Sequence, residues 1–117
     1  MSRRDRSQLL RDLKAAFPEI TSELNAAQGR LHFEVDVFRR FAQRAICAGD
    51  RERAAQCFSL AAHYLAEGNS AVRDAIDVSL VEPLEFDSTS DDGRWAWDDF
   101  PATLKKAYVA FHGKAPM

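Results

Sequence analysis

A stretch of thirty residues, Phe38–Glu67, constrains the fold of this chain more than any other feature of the sequence. Its apolar residues recur at intervals of three and four, which is the period of an amphipathic helix. Gly49 and Asp50 interrupt the pattern: glycine suits the left-handed position that ends a helix, and aspartate caps the start of the next one. The same pattern extends back to Leu31. We therefore predict two helices, Leu31–Ala48 and Asp50–Glu67, that fold back on each other as a hairpin.

The two predicted helices of the hairpin differ in what they can pack against. The first has two apolar stripes, so we expect it to make contacts on two sides. The second has a stripe rich in alanine, and small side chains let two helix axes approach closely. The stripes consist of Leu31, Val35, Phe38, Ala42 and Ala45 and of Phe33, Val37 and Phe41 on the first helix, and of Ala54, Ala55, Phe58, Ala61, Ala62 and Leu65 on the second.

Further amphipathic segments flank the hairpin and extend the helical pattern over most of the chain. They cover about residues 5–16, 18–28, 70–81 and 101–111. Ser2 and Asp5 stand at capping-box spacing for the first segment, and Pro18 ends it and opens the second. The positions expected to be apolar contacts are Leu9, Leu10, Leu13, Ala16, Ile20, Leu24, Ala27, Val72, Ala75, Ile76, Leu80, Leu104, Tyr108 and Phe111. We predict an all-α fold: a single domain, residues 1–117, in which five or six helices form a compact bundle around the hairpin, with no sheet.

Composition and charge limit the class of protein. The chain has 117 residues, of which 46% are apolar and 29% charged, as in an ordinary globular protein. Its net charge of −2 disfavours a nucleic-acid-binding protein, because neutralising phosphates needs clustered lysine and arginine. No apolar run approaches the roughly 20 residues of a membrane span, and no apolar segment follows the basic start as it would in a signal peptide. We expect a cytoplasmic protein with no nucleic-acid or membrane partner, and Cys47 and Cys57 as buried free thiols.

Candidate catalytic and metal-binding residues are few. His32 and Asp36 stand four apart, a spacing that can present two metal ligands, but no third ligand and no HExxH or CxxC motif accompanies them. Cys47 or Cys57 beside His63 would need a polar setting, whereas apolar surroundings raise the pKa of a thiol. The five glycines are scattered and form no phosphate-binding loop. We therefore expect no catalytic residue, no metal and no cofactor, and a protein that is not an enzyme.

A strongly acidic segment, residues 82–99, is the best candidate for a functional surface. It holds seven carboxylates and one arginine, which gives it a net charge of −6. Trp95 and Trp97 stand among the acids, and large aromatic residues flanked by charge are typical of binding hot spots for a basic partner. The predicted partner-binding residues are Glu82, Glu85, Asp87, Asp91, Asp92, Trp95, Trp97, Asp98 and Asp99.

The same segment also has a plainer interpretation. Ser88–Gly93 has the composition of an exposed loop, and its charges would keep a small protein soluble. Trp95 and Trp97 are two residues apart and cannot share one helical face, so we expect at least one of them to pack into the core.

The hairpin partly resembles a tetratricopeptide repeat. Ala54, Phe58 and Ala61 fall at the repeat's offsets, but Ala66 stands where the repeat has proline and Ala45 where it has tyrosine. A shift by the 34-residue period finds no second copy, and single repeats cannot bury their own faces. The resemblance therefore implies a helical hairpin inside a bundle and no repeat array.

A wider resemblance rests on the stretches LLRDLKAAFPEI, GRLHFEVDVF, AICAGDRERAAQCF, VRDAIDVSLVEPLEF and DDFPATLKKAYVAF. In these stretches the chain resembles a family of small bacterial all-helical proteins that has no assigned activity. Proteins of this type are similar in size and charge to bacterial antitoxins that protect a cell from contact-delivered toxins, an analogy at the level of fold.

Two functions follow as expectations. The first is a bacterial immunity protein that binds a basic toxin domain through residues 82–99 and occludes it. The alternative is a structural or regulatory helical module, a homodimer or an adaptor, that uses the apolar faces of the hairpin. The basic start of the chain is expected to be a solvated helix end or to pair with the acidic segment of a neighbouring copy; its residues are Arg3, Arg4, Arg6, Arg11 and Lys14.

Overall fold

Helices account for most of the part of the chain that the computed structural model describes, residues 3–27, 29–86 and 91–116. The α-helices are α1 Arg6–Ala16, α2 Thr21–Ala26, α3 Leu31–Cys47, α4 Arg51–Glu67, α5 Ser70–Ile76, α6 Asp91–Asp99 and α7 Ala102–His112. A 3-10 helix, Pro18–Ile20, leads into α2, and a π-helical turn, Asp77–Val81, continues α5. No strand occurs in these ranges, so the all-α prediction is confirmed for them. The prediction of five or six helices is wrong, because α6 forms where a loop was expected.

The ends of the helices are set by caps that the sequence already shows. Gly49 has a φ of 71°, the left-handed conformation that glycine adopts without strain, and Asp50 accepts a hydrogen bond from the backbone N–H of Arg53. At α1 the capping box is formed by Asp5 and Gln8, each of whose side chains bonds the other's backbone N–H. The box predicted for Ser2 and Asp5 is wrong, since Asp5 is itself the N-cap; Ser2 lies outside the described residues.

Helix α3 packs against α2, α4, α5, the π-helical turn and α6. Most residues of its two predicted stripes are buried, as expected for a helix with contacts on two sides; they are Val35, Val37, Phe38, Phe41, Ala42 and Ala45. Leu31 is half-buried, and Phe33 is exposed, with 54% of its surface accessible. It stands in the first turn of α3 beside the end of the short α2, and the guanidinium of Arg30 lies 5.4 Å from its ring centroid.

Side chains near helix ends are also where other burial expectations fail. Phe111 lies in the last turn of α7 and is 58% exposed, whereas Leu104 and Tyr108 of the same stripe are buried. Ala55, in the second turn of α4, faces outward. Cys47 is the last residue of α3 and is exposed, so the expectation of two buried thiols is wrong for it and right for Cys57.

The basic residues at the start of the chain attach α1 to the rest of the fold. Arg6 donates two hydrogen bonds to the buried carboxylate of Glu34 on α3, at 2.7 and 2.6 Å. Arg4 pairs with the turn between α4 and α5, where its N–H donates to Glu67 and its carbonyl accepts from the N–H of Asn69. The expectation of a solvated helix end is therefore wrong for Arg6, which has its partner within the chain.

The π-helical turn after α5 lets neighbouring residues be buried together. The N–H of Glu82 donates to the carbonyl of Asp77, five residues back, at 3.1 Å. This wider turn rotates the chain so that Leu80 and Val81 are both buried. The next residues then leave the helix and run towards α7.

Candidate partner-binding surface

The segment Glu82–Phe86 begins the acidic region and is held against α3 by one side chain. Gln43 donates from Nε2 to the carbonyl of Glu85 at 2.9 Å and accepts the N–H of Glu85 at its Oε1 at 2.8 Å. This two-point clamp fixes the backbone while Leu84 and Phe86 point inward and Glu85 is exposed. The backbone that carries the exposed carboxylate of Glu85 is therefore fixed in position.

Trp97 belongs to an aromatic cluster with Phe86, Phe100 and Tyr108. Its ring lies edge-on to those of Phe86 and Tyr108, with centroids 5.4 and 5.2 Å away, and is tilted against Phe100 at 5.8 Å. Such aromatic pairs add to the energy of burial. The Nζ of Lys105 lies 5.6 Å from the ring centroid of Trp97, which is half-buried.

Trp95 and Asp99 are tied to the start of α4 by one arginine. Arg51 donates two hydrogen bonds to the carboxylate of Asp99, at 2.7 and 2.9 Å, and its guanidinium lies 5.8 Å from the ring centroid of Trp95. The hydrogen bonding from Arg51 lowers the pKa of Asp99, and the same pairing raises the pKa of Arg51. The negative charge of Asp99 is therefore already balanced by Arg51 within the chain.

The predicted partner-binding residues fall into three groups. Glu85 and Asp98 are exposed, and within the described part of the chain neither has a basic group within salt-bridge distance. Half-buried positions are occupied by Glu82, Trp95, Trp97 and Asp99. Asp87 lies outside the described residues, and for Asp91 and Asp92 the description covers the backbone, which is helical.

The predicted loop Ser88–Gly93 is wrong in its second half. Residues 91–93 form the first turn of α6, and residues 88–90 lie outside the described ranges. Ala96 of this helix and Phe100, which follows its last residue, are buried in the core and anchor the helix. The expectation was that at least one tryptophan packs into the core; both are half-buried and pack against it.

A cleft that sequence reasoning missed lies between Glu82–Phe86 and the end of α7. It has a volume of about 820 Å³ and is lined by those five residues together with Tyr108, His112 and residues 114–116. The Nε2 of His112 lies 2.9 Å from the carbonyl oxygen of Glu82, and its ring stacks on Tyr108 with centroids 4.1 Å apart. Since a carbonyl only accepts, that nitrogen carries the proton. The spacing of Tyr108 and His112, four residues apart on one helical face, was the available signal.

The candidate catalytic residues are not brought together into a reactive group. Burial raises the pKa of the Cys57 thiol to about 12, which suppresses its thiolate. His32, which the sequence pairs with Asp36, contacts other residues. Its Nδ1 lies 2.7 Å from the hydroxyl of Ser79, and its Nε2 lies 3.6 Å from a carboxylate oxygen of Asp74. Within the described ranges no group of three or more His, Cys, Asp or Glu side chains is placed to hold a metal ion. None of the helices described is both long enough and apolar enough to cross a bilayer.

Comparison with known proteins identifies a family. Residues 10–113 match the family described as a domain of unknown function, DUF7674, and the chain therefore belongs to it. The match runs from within α1 to the residue that follows α7, so it covers nearly all of the fold. The resemblance to a family without an assigned activity is confirmed. No curated protein and no solved structure was found to match.

Proposed function

We propose that this member of the DUF7674 family is a non-catalytic protein that binds another protein, and most concretely that it is a bacterial immunity protein acting in the cytoplasm. It would neutralise a basic toxin domain by covering it. The observation that carries the proposal is the pair of exposed carboxylates, Glu85 and Asp98, neither of which has a basic group within salt-bridge distance among the residues described. The backbone of Glu85 is also clamped by Gln43.

Electrostatics favours these two carboxylates over the rest of the acidic segment. A carboxylate already paired within its own chain, such as Asp99 with Arg51, gains less from a new cation. Exposed and unpaired carboxylates attract a basic partner from a distance and raise the rate of association. Glu82, half-buried beside Glu85, adds to the same field. The proposal thus concentrates on Glu82, Glu85 and Asp98.

We infer that the hairpin of α3 and α4 is the frame of the bundle and of this surface. Gln43 on α3 holds Glu85, and Arg51 on α4 holds Asp99. Each contact joins the acidic region to a different arm of the hairpin. A surface fixed in this way loses little conformational entropy when a partner binds.

Occlusion is the mode of inhibition that suits these residues. The buried thiol of Cys57 is a poor nucleophile, and the exposed Cys47 has no histidine among its described contacts. A rigid acidic face could instead fill the basic site with which a toxin binds its substrate.

The alternative of a homodimer or adaptor has its own support. Phe33 on α3 and Phe111 on α7 are more than half exposed, and aromatic side chains are enriched at interfaces between proteins. Light scattering at high protein concentration tests the homodimer. A monomeric mass would remove the homodimer.

The main proposal is tested in two steps. The protein is first co-purified with the product of the gene next to its own, and the affinity and association rate of that pair are then measured. Glu85→Gln with Asp98→Asn should weaken binding by about tenfold at low salt, mainly through a slower association rate. Glu52→Gln, which removes an exposed carboxylate on α4, is the matched control and should leave binding unchanged. Equal affinity of the double variant and the wild type would show that the acidic face does not bind the partner.

A further inference from the structure

The outer face of α4 lines a groove at the surface of the described chain. The groove has a volume of about 680 Å³ and lies between α4 and the end of α1, where Ala16 and Phe17 form its other wall. The residues of α4 that line it follow one another at intervals that place them on one face of the helix. They are Glu52, Ala55, Gln56, Ser59, Leu60 and His63. All of them are exposed except Leu60, which is half-buried.

The two ionisable side chains of this face form no ion pair within the described part of the chain. The arginines on either side of Glu52 in the sequence are paired with other carboxylates. The described contact of His63 is with the ring of its neighbour Tyr64, which it meets edge-on. Glu52 and His63 stand at opposite ends of the face, about 16 Å apart along the helix axis, so they cannot pair with each other in one chain.

The order of the residues on this face suits a second copy of the same face. When two identical helices pack antiparallel about a two-fold axis, residue i of one lies opposite residue j of the other, and j lies opposite i. We place the axis at the level of Cys57 and Phe58, the middle of the face. The opposed pairs are then Glu52 with His63, Ala55 with Leu60 and Gln56 with Ser59.

Each of these pairs is complementary in chemistry or in size. An imidazole donates an N–H to a carboxylate and forms an ion pair with it when protonated. An amide and a hydroxyl each both donate and accept hydrogen bonds. Ala55 leaves room for the larger Leu60, and small side chains let two helix axes approach to about 8 Å. The face is therefore complementary to itself at both ends and in the middle.

We propose that two copies of this chain form a dimer in which the outer faces of α4 pack antiparallel across this groove. The inference rests on the alternative function, the homodimer, for which it names an interface that does not include the exposed Phe33 and Phe111. None of the interface residues belongs to the surface of Glu82, Glu85 and Asp98, so the dimer would present that surface twice.

The size of the contact predicts a weak dimer. Each copy contributes about three turns of α4 and the end of α1, which together bury less than the roughly 1,200 Å² at the low end of standard interfaces. Contacts of this size are typical of transient complexes. We therefore expect a Kd of about 10–100 μM.

Sedimentation equilibrium from about 5 μM to about 1 mM protein measures this association. Ala55→Arg should raise the Kd by more than about tenfold, because a long charged side chain keeps the two helix axes apart. Ala110→Arg makes the same change at an exposed position of α7; it is the matched control and should leave the Kd unchanged. Circular dichroism checks that each variant is folded.

A charge exchange tests the pairing of residues across the interface. Glu52→Lys should weaken association severalfold by removing the carboxylate, and His63→Glu should do so by placing two carboxylates opposite each other. The double variant should return the Kd to near that of the wild type, since a lysine then faces a glutamate in the other copy. No contact within one chain can produce this rescue, because the two positions are about 16 Å apart.

Three results would each overturn the inference: a monomeric mass at about 1 mM, a dimer that Ala55→Arg leaves intact, or a double charge variant that associates no more tightly than the single ones. A monomer that still binds the product of the adjacent gene through Glu85 and Asp98 would remove the dimer and keep the immunity function. A dimer with the expected responses but without such a partner would support the inference and count against the immunity function.

Discussion

The ion pair between Arg6 and Glu34 offers the sharpest test of how this fold is held together. The side chain of Glu34 is 2% exposed, and both of its oxygens accept from the Arg6 guanidinium. Replacing Arg6 by methionine keeps an apolar stem of similar length and removes both donors. The carboxylate then stays buried without a countercharge.

The expected loss of stability can be worked out from that geometry. Removing one partner of a buried ion pair costs about 3–5 kcal/mol, because the remaining charge stays uncompensated. The Arg6 side chain is 39% exposed, so water can reach the side of Glu34 that it leaves. We therefore expect a loss of about 2–3 kcal/mol, or a fall of about 10 °C in Tm for a domain of this size.

Urea unfolding followed by circular dichroism measures the change in a double-mutant cycle. Arg6→Met with Glu34→Leu removes the buried charge as well, and this pair should be more stable than Arg6→Met alone. Arg11→Met, which changes an exposed arginine of the same helix, is the control and should alter stability by less than about 0.5 kcal/mol. A loss for Arg6→Met as small as that of the control would refute the reasoning, as would additive losses in the cycle.

Further measurements address packing, thiol chemistry and pH. Gly68→Ala should cost about 1–3 kcal/mol in urea unfolding, because an added Cβ would lie 2.5 Å from the carbonyl oxygen of Tyr64; an unchanged midpoint would contradict that approach. A thiol reagent should modify Cys47 in the native protein and Cys57 only after unfolding, since burial raises the pKa of Cys57 to about 12; two fast-reacting native thiols would be inconsistent with the structure. Asp99→Asn should reduce stability at neutral pH. The pKa of Asp99 is lowered in the folded state, so its contribution is present above the unfolded pKa of about 4 and is lost as pH falls through the lower, folded value. Unfolding at pH 7 and pH 3 should show the difference shrink, and a constant difference would refute the assignment.

Local signals in the sequence predicted the parts of the fold that depend on neighbouring residues. The turn of Gly49 and Asp50 and the start of α5 at Asn69 follow from caps, whose partners lie within three residues. Burial at helix ends depends on what other elements reach. The exposure of Phe33 and Phe111 was therefore not readable from helical periodicity.

In the candidate site, too, the features that depend on neighbouring residues are predictable and those that join distant residues are not. The excess of carboxylates in residues 82–99 is visible in the sequence, but the pairing of Asp99 with Arg51 joins residues 48 positions apart. Glu34 is a residue whose burial the sequence indicates. It stands three residues after Leu31 and four before Phe38, on an apolar stripe, and a carboxylate buried there needs a cation from elsewhere in the fold.

The π-helical turn at Asp77–Val81 bears on how chains of this family can differ in length. A π turn contains one more residue than an α turn over the same rotation, and such turns are commonly found at functional sites. Loss of a single residue between Asp77 and Val81 would turn the segment into a regular α-helix and leave α5 and α7 where they are. Relatives that lack one residue here should therefore keep the clamp at Gln43, whereas a gap placed between Glu82 and Phe86 would move the carboxylates off their support. Alignments of the family should be allowed a gap at the π turn before one is opened in the acidic segment.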